Sequence, residues 1–68
     1  MNVRVTLKNG KYADIESLQR VYRSSGQVCE DIPIESFYID SGATMNFVGA
    51  KSTVALKGEE ISLVSFES

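Results

Sequence analysis

Phe37-Tyr38-Ile39-Asp40-Ser41-Gly42-Ala43-Thr44-Met45-Asn46-Phe47-Val48-Gly49 is the longest stretch in which apolar residues alternate on both sides of a turn signal. Asp and Ser suit the helical-region positions of a type I turn, and Gly accepts positive φ, so the stretch reads as a hairpin. A three-residue loop Asp40-Ser41-Gly42 sets Ile39 opposite Ala43 and Phe37 opposite Met45. Phe47 continues that face, and Tyr38 pairs with Thr44 on the other. A two-residue loop would instead place Phe37 against Asn46, leaving a polar group to be buried without a partner. The three-residue register is therefore expected, with Gly42 as a left-handed corner.

Upstream, Val3, Val5 and Leu7 alternate with Arg4, Thr6 and Lys8, the two-residue period of a half-buried strand. Asn9-Gly10 then signals a second hairpin. With Gly10 left-handed, Val5 meets Ala13, Val3 meets Ile15, and Arg4 lies across from Asp14 as a cross-strand ion pair. Residues 16–18 read as a turn and Arg20–Arg23 as a third strand. Ile15, Leu18 and Tyr22 also have helical spacing, which leaves a brief helix as the alternative. Ser24-Ser25-Gly26-Gln27 reads as a loop. Pro33 holds Ile32 extended and cannot donate to a ladder, so residues 28–34 are loop or edge.

Downstream, residues 49–52 connect to a strand at Thr53–Leu56, and residues 57–60 form a turn. In Ile61-Ser62-Leu63-Val64-Ser65-Phe66 the pairs Ile61/Leu63 and Val64/Phe66 fall on opposite faces. A bulge near Leu63 would reunite them, and otherwise the strand is central or lies at a subunit interface. The fold expected is mainly β: one domain over 1–68, an antiparallel meander sheet or small open barrel of five to six short strands, with room for one helical turn.

A chain of 68 residues buries only about 60% of its unfolded surface, so its core is thin. Cys29 is the single cysteine and histidine is absent. That usage fits a reducing compartment and removes the commonest general base and metal ligand. No basic start precedes an apolar run and no stretch approaches a membrane span, so a soluble, cytoplasmic protein is expected. Cys29, beside two acids, reads as a half-buried structural thiol. Residues 1–23 carry five basic against two acidic side chains, and residues 24–68 two against seven. This segregation reads either as a solvated surface or as a bipolar molecule that meets copies of itself or a partner.

Ile39-Asp40-Ser41-Gly42-Ala43-Thr44, followed by Asn46-Phe47-Val48, resembles the signature of retroviral-type aspartic proteases, over about a dozen residues. The resemblance implies Asp40 as catalytic acid/base, Ser41 steadying its carboxylate, and Gly42 letting two such loops approach. That chemistry needs two carboxylates sharing a proton across a dimer. The same three residues are also plain hairpin-loop chemistry, and Tyr38 is bulkier than the family places before its Asp.

A solvated acidic face is the reading of Glu30, Asp31 and Glu35, whose spacing lacks an EF-hand-like loop, and no metal or other cofactor is expected. Arg20, Tyr22 and Arg23, with Lys8, Lys11 and Tyr12, could present a basic-aromatic patch to single-stranded nucleic acid, against which the acidic total argues. The leading expectation is a non-catalytic interaction or structural module that self-associates or binds a protein. Its candidate surface comprises Leu63, Val64, Phe66, Arg20, Tyr22 and Arg23.

Overall fold

The computed structural model describes residues 1–67. Among them the chain forms seven strands: β1 Asn2–Leu7, β2 Tyr12–Ile15, β3 Leu18–Ser25, β4 Val28–Asp31, β5 Thr44–Gly49, β6 Thr53–Lys57 and β7 Ile61–Glu67. Two 3-10 turns, Ile34–Ser36 and Gly58–Glu60, are the helical segments. The strands build two antiparallel sheets, ordered β2-β1-β7 and β4-β3-β5-β6. The mainly β expectation holds. Seven strands replace the expected five to six, the acidic segment 28–31 pairing as an edge strand; β7 joins β1 rather than extending a meander.

The first hairpin has the register its chemistry demands: Val3 faces Ile15, Arg4 faces Asp14 and Val5 faces Ala13. Gly10 takes φ 89°, the left-handed corner that lets the loop close. Val3, Val5 and Ile15 are buried on one side. On the other, Arg4 Nε donates to Asp14 Oδ1 at 2.8 Å.

Between β2 and β3 the chain turns at Ser17, a left-handed non-glycine residue at φ 52°. Tertiary hydrogen bonds hold this corner. The Ser17 N–H donates to Asn2 Oδ1 (3.1 Å), the Leu18 N–H to the Met1 carbonyl (2.7 Å), and the Ala50 N–H to the Ser17 carbonyl (3.2 Å). Together they offset a strain of about 1–2 kcal/mol. The helix weighed for residues 15–22 does not form; Val21 instead joins the core opposite Phe47.

The second hairpin is not where the sequence put it. Residues 37–43 form no strand, and Gly42 is not left-handed. Met45 pairs with Arg23 on one side and Leu56 on the other, not with Phe37. Phe37 instead lies between the sheets, with its ring centroid 6.2 Å from that of Phe47 and 5.1 Å from that of Phe66. A strand from residue 37 would have kept this ring on one sheet. As an irregular strap it bridges both, its ring meeting an aromatic partner on each sheet.

The bulge in β7 does form. Thr6 faces Leu63 and Leu7 faces Ile61, so Ser62 is the extra residue. Ile61, Val64 and Phe66 thereby turn inward, Ile61 buried and the other two half-buried against the core, while Leu63 is left outside. β7 is an edge strand, not a central one. Cys29 is exposed rather than half-buried, because β4 is exposed along its whole length.

Candidate functional site

The residues singled out in the sequence fall in three separate places. Asp40 sits in the strap, and each of its carboxylate oxygens has a partner. The Gly42 N–H donates to Oδ1 at 2.9 Å, and Arg23 Nη1 donates to Oδ2 at 3.1 Å. Its carbonyl accepts from the Ala43 N–H (3.2 Å), and the Ala43 carbonyl accepts in turn from the Gly58 N–H (2.9 Å). Asp40 therefore ties the strap to β3 through its side chain and to the Gly58–Glu60 turn through its backbone. A proton-sharing dyad needs two carboxylates in contact, whereas the charged neighbour of Asp40 is a guanidinium. Ser41 and Gly42 lie exposed beside a shallow groove of about 340 Å³, whose lining also includes Ser24, Thr44, Lys57 and Glu59. Its hydroxyls and single lysine–glutamate combination offer hydrogen bonds and no nucleophile–base pair.

Arg20, Tyr22 and Arg23 are divided by the strand's alternation. Arg23 lies opposite Met45 on the inner face, and Tyr22 lies opposite Asn46 on the outer face. The Arg23 side chain is only 21% exposed and bonds Glu30 as well as Asp40. Burial is the largest single influence and disfavours its charged form, but Glu30, by charge and hydrogen bond, together with Tyr38 and Asp40, more than compensates, so the guanidinium is held above its ordinary pKa. Arg20 stacks on the Tyr22 ring at 4.6 Å and pairs with Asp31 at 2.6 Å. Asn46, buried between β3 and β6, donates to the Tyr22 carbonyl and the Ser24 hydroxyl, both at 3.3 Å.

Among the described residues, three of the four ion pairs join the basic N-terminal third to the acidic remainder: Arg20–Asp31, Arg23–Glu30 and Arg23–Asp40. The charge segregation of the sequence is thus partly cancelled within the fold, at Arg20 and Arg23. Glu30 and Asp31 are drawn to arginines on neighbouring positions, and no group of three or more metal-ligating side chains is brought together among the described residues.

The third place is the outer face of the β2-β1-β7 sheet. Tyr12 lies opposite Thr6, and Thr6 opposite Leu63, so the three make one row across it. Tyr12 is 60% exposed and Leu63 59%. Arg4 covers part of the tyrosine ring at 4.4 Å while paired with Asp14, whose carboxyl it holds below the usual range, chiefly through the hydrogen bond. Val64 and Phe66 belong to the inner side of the same sheet, so of the expected apolar group only Leu63 is presented outward. Tyr12 was missed as its companion because it was grouped with the nearby lysines. The register Thr6–Tyr12 already placed it on the wet face.

The two arginine–tyrosine stacks lie on different sheets. Arg4–Tyr12 lies on the outer face of one, and Arg20–Tyr22 on the outer face of the other. They do not merge into a continuous basic-aromatic stripe. Among the described residues no helix is long and apolar enough to cross a membrane.

Comparison with protein-family models, with curated proteins and with solved structures finds no match.

Proposed function

We propose that the chain is a non-catalytic interaction module that offers the outer face of its three-stranded sheet to a protein, a second copy of itself included. The observation that carries this reading is the row Tyr12–Thr6–Leu63. Two large side chains, one aromatic and one aliphatic, stand exposed on a hydrogen-bonded sheet, with the flanking charges of Arg4 and Asp14 already paired. Exposed aromatic and aliphatic groups on such a platform supply contact area at little conformational cost, and a rim of paired charge excludes wrong partners more than it adds affinity. The internal cancellation of the arginines also favours this face over a charge-driven one.

Light scattering on the purified protein, alone and after affinity capture, tests the reading. A dimer, larger assembly or stable stoichiometric complex is expected, weakened by the double substitution Tyr12→Ser/Leu63→Ser with the fold retained. A protein that stays monomeric and captures no partner refutes it.

A further inference from the structure

The four sheet edges are not equally protected. β2 and β4 are four residues each and carry Asp14, or Glu30 and Asp31; β6 ends in Lys57. β7 runs seven residues with no charge and no proline before Glu67. Short length, charge and proline are the usual guards against edge pairing. β7 is the longest of the four edges, has no proline and carries its one charge at its last residue, Glu67, while its bulge lies at Ser62, outside the run 63–66.

Its free hydrogen-bonding groups can be assigned. The Leu7 N–H donates to the Lys11 carbonyl at 2.7 Å, so Leu7 faces β2. By the alternation of an antiparallel ladder Val5 and Val3 do the same, while Thr6 and Arg4 face β7, where they meet Leu63 and Ser65. Leu63 and Ser65 are thus engaged with β1, and Val64 and Phe66 direct N–H and C=O away from it. Among the described residues no backbone hydrogen bond reaches β7 from that outer side.

We infer that β7 is a self-pairing edge, and that its occupant is β7 of a second copy, antiparallel about a two-fold axis at Val64. The inference rests on the interaction-module reading and names its partner and contact. Only an antiparallel arrangement makes one strand complementary to itself. Centred on Val64, it lets the two Val64 backbones exchange both hydrogen bonds and sets each Leu63 against Ser65 of the other copy on the outer face. The pairing joins two three-stranded sheets into one of six. It also extends the Tyr12–Thr6–Leu63 row across the axis, where Leu63 loses much of its exposure. No like charges meet between residues 61 and 66. The contact is short, so the affinity expected is on the order of micromolar or weaker.

Amide hydrogen exchange by NMR, at low-micromolar and at millimolar protein concentration, tests this alongside light scattering. The Val64 and Phe66 amides should slow roughly tenfold or more at the higher concentration. Leu63 and Ser65, already bonded to β1, should not change. Leu63→Lys, at an outward position, should leave the exchange pattern of the β1–β2 hairpin intact and abolish the concentration dependence. A dimer whose Val64 and Phe66 amides exchange alike at both concentrations overturns the edge pairing and leaves the interaction-module reading standing. A protein that is monomeric and partnerless throughout overturns both.

Discussion

Alanine at Gly58 should destabilise this protein more than alanine at any turn glycine. Gly58 is buried where the 3-10 turn Gly58–Glu60 meets the strap. A methyl group there would collide with the carbonyl oxygen of Asp40, stand 2.8 Å from its carbonyl carbon and 3.2 Å from the Ala43 oxygen. These are backbone atoms, so no side chain can swing aside. Moving them strains the two bonds that hold the strap, Ala43 N–H to Asp40 carbonyl and Gly58 N–H to Ala43 carbonyl. Overpacking typically costs about 1–3 kcal/mol, and weakening one or two such bonds adds about 1 kcal/mol each. The expected loss is therefore about 2–5 kcal/mol. A chain of this size has roughly 3–10 kcal/mol in all, so the loss is a large fraction of it.

Two other glycines serve as controls. Gly10 has open space around its missing Cβ but a φ of 89°, so Gly10→Ala should cost about 1–2 kcal/mol from backbone strain alone. Gly42 is not left-handed, and a Cβ there meets only Asp40 Oδ1, at an ordinary 3.5 Å. Gly42→Ala should be close to neutral. Urea unfolding followed by circular dichroism, with slopes compared to confirm a common mechanism, gives the three values. A cost at Gly58 no larger than that at Gly10, or a large cost at Gly42, refutes the strap geometry and reinstates Gly42 as a left-handed corner.

Phe37→Ala should cost about 2 kcal/mol, roughly half the value for a fully buried ring, because the side chain is half-buried yet touches both Phe47 and Phe66; denaturant unfolding reads it, and a change below 0.5 kcal/mol, about the limit for an uninvolved surface site, rules out the bridging role. Asp40→Asn keeps the acceptor for the Gly42 N–H and loses the charge toward Arg23, whereas Asp40→Ala loses both, so amide exchange at Gly42 should quicken far more in the alanine variant than in the asparagine one. Arg4 lowers the carboxyl pKa of Asp14 in the folded state. The pair's contribution is thus present above the ordinary carboxylate range and vanishes as pH falls through the depressed value; a carbon-detected titration should show the Asp14 carboxyl returning toward its unperturbed value in Arg4→Ala, and an unchanged titration contradicts the pairing.

Local chemistry determined a good deal by itself. Strict alternation in residues 3–7, a glycine at position 10, and the need to bring Arg4 to Asp14 rather than Val5 leave one low-energy register for the first hairpin, and that register is present. A bulge in β7 was one of the alternatives its residues left open; it forms at Ser62 and turns Ile61, Val64 and Phe66 to one face while leaving Leu63 outside. For residues 28–34 the proline left loop and edge both open, and residues 28–31 form an edge strand.

Tertiary structure alone decided residues 37–43 and the companions of each site residue. The alternation Phe37–Ile39 and the turn Asp40-Ser41-Gly42 satisfy a hairpin as well as they satisfy a strap. What separates them is the gap between two sheets that Phe37 fills, together with a guanidinium from β3 that claims Asp40. Neither Phe66 nor Arg23 is a sequence neighbour of that stretch, so no local pattern encodes the preference. Charge behaved alike. The sequence separates basic from acidic residues along the chain, but β3 runs beside β4 and beneath the strap, and the pairs close across that distance. Periodicity settles which way a side chain faces; only the packing of distant segments settles what it faces.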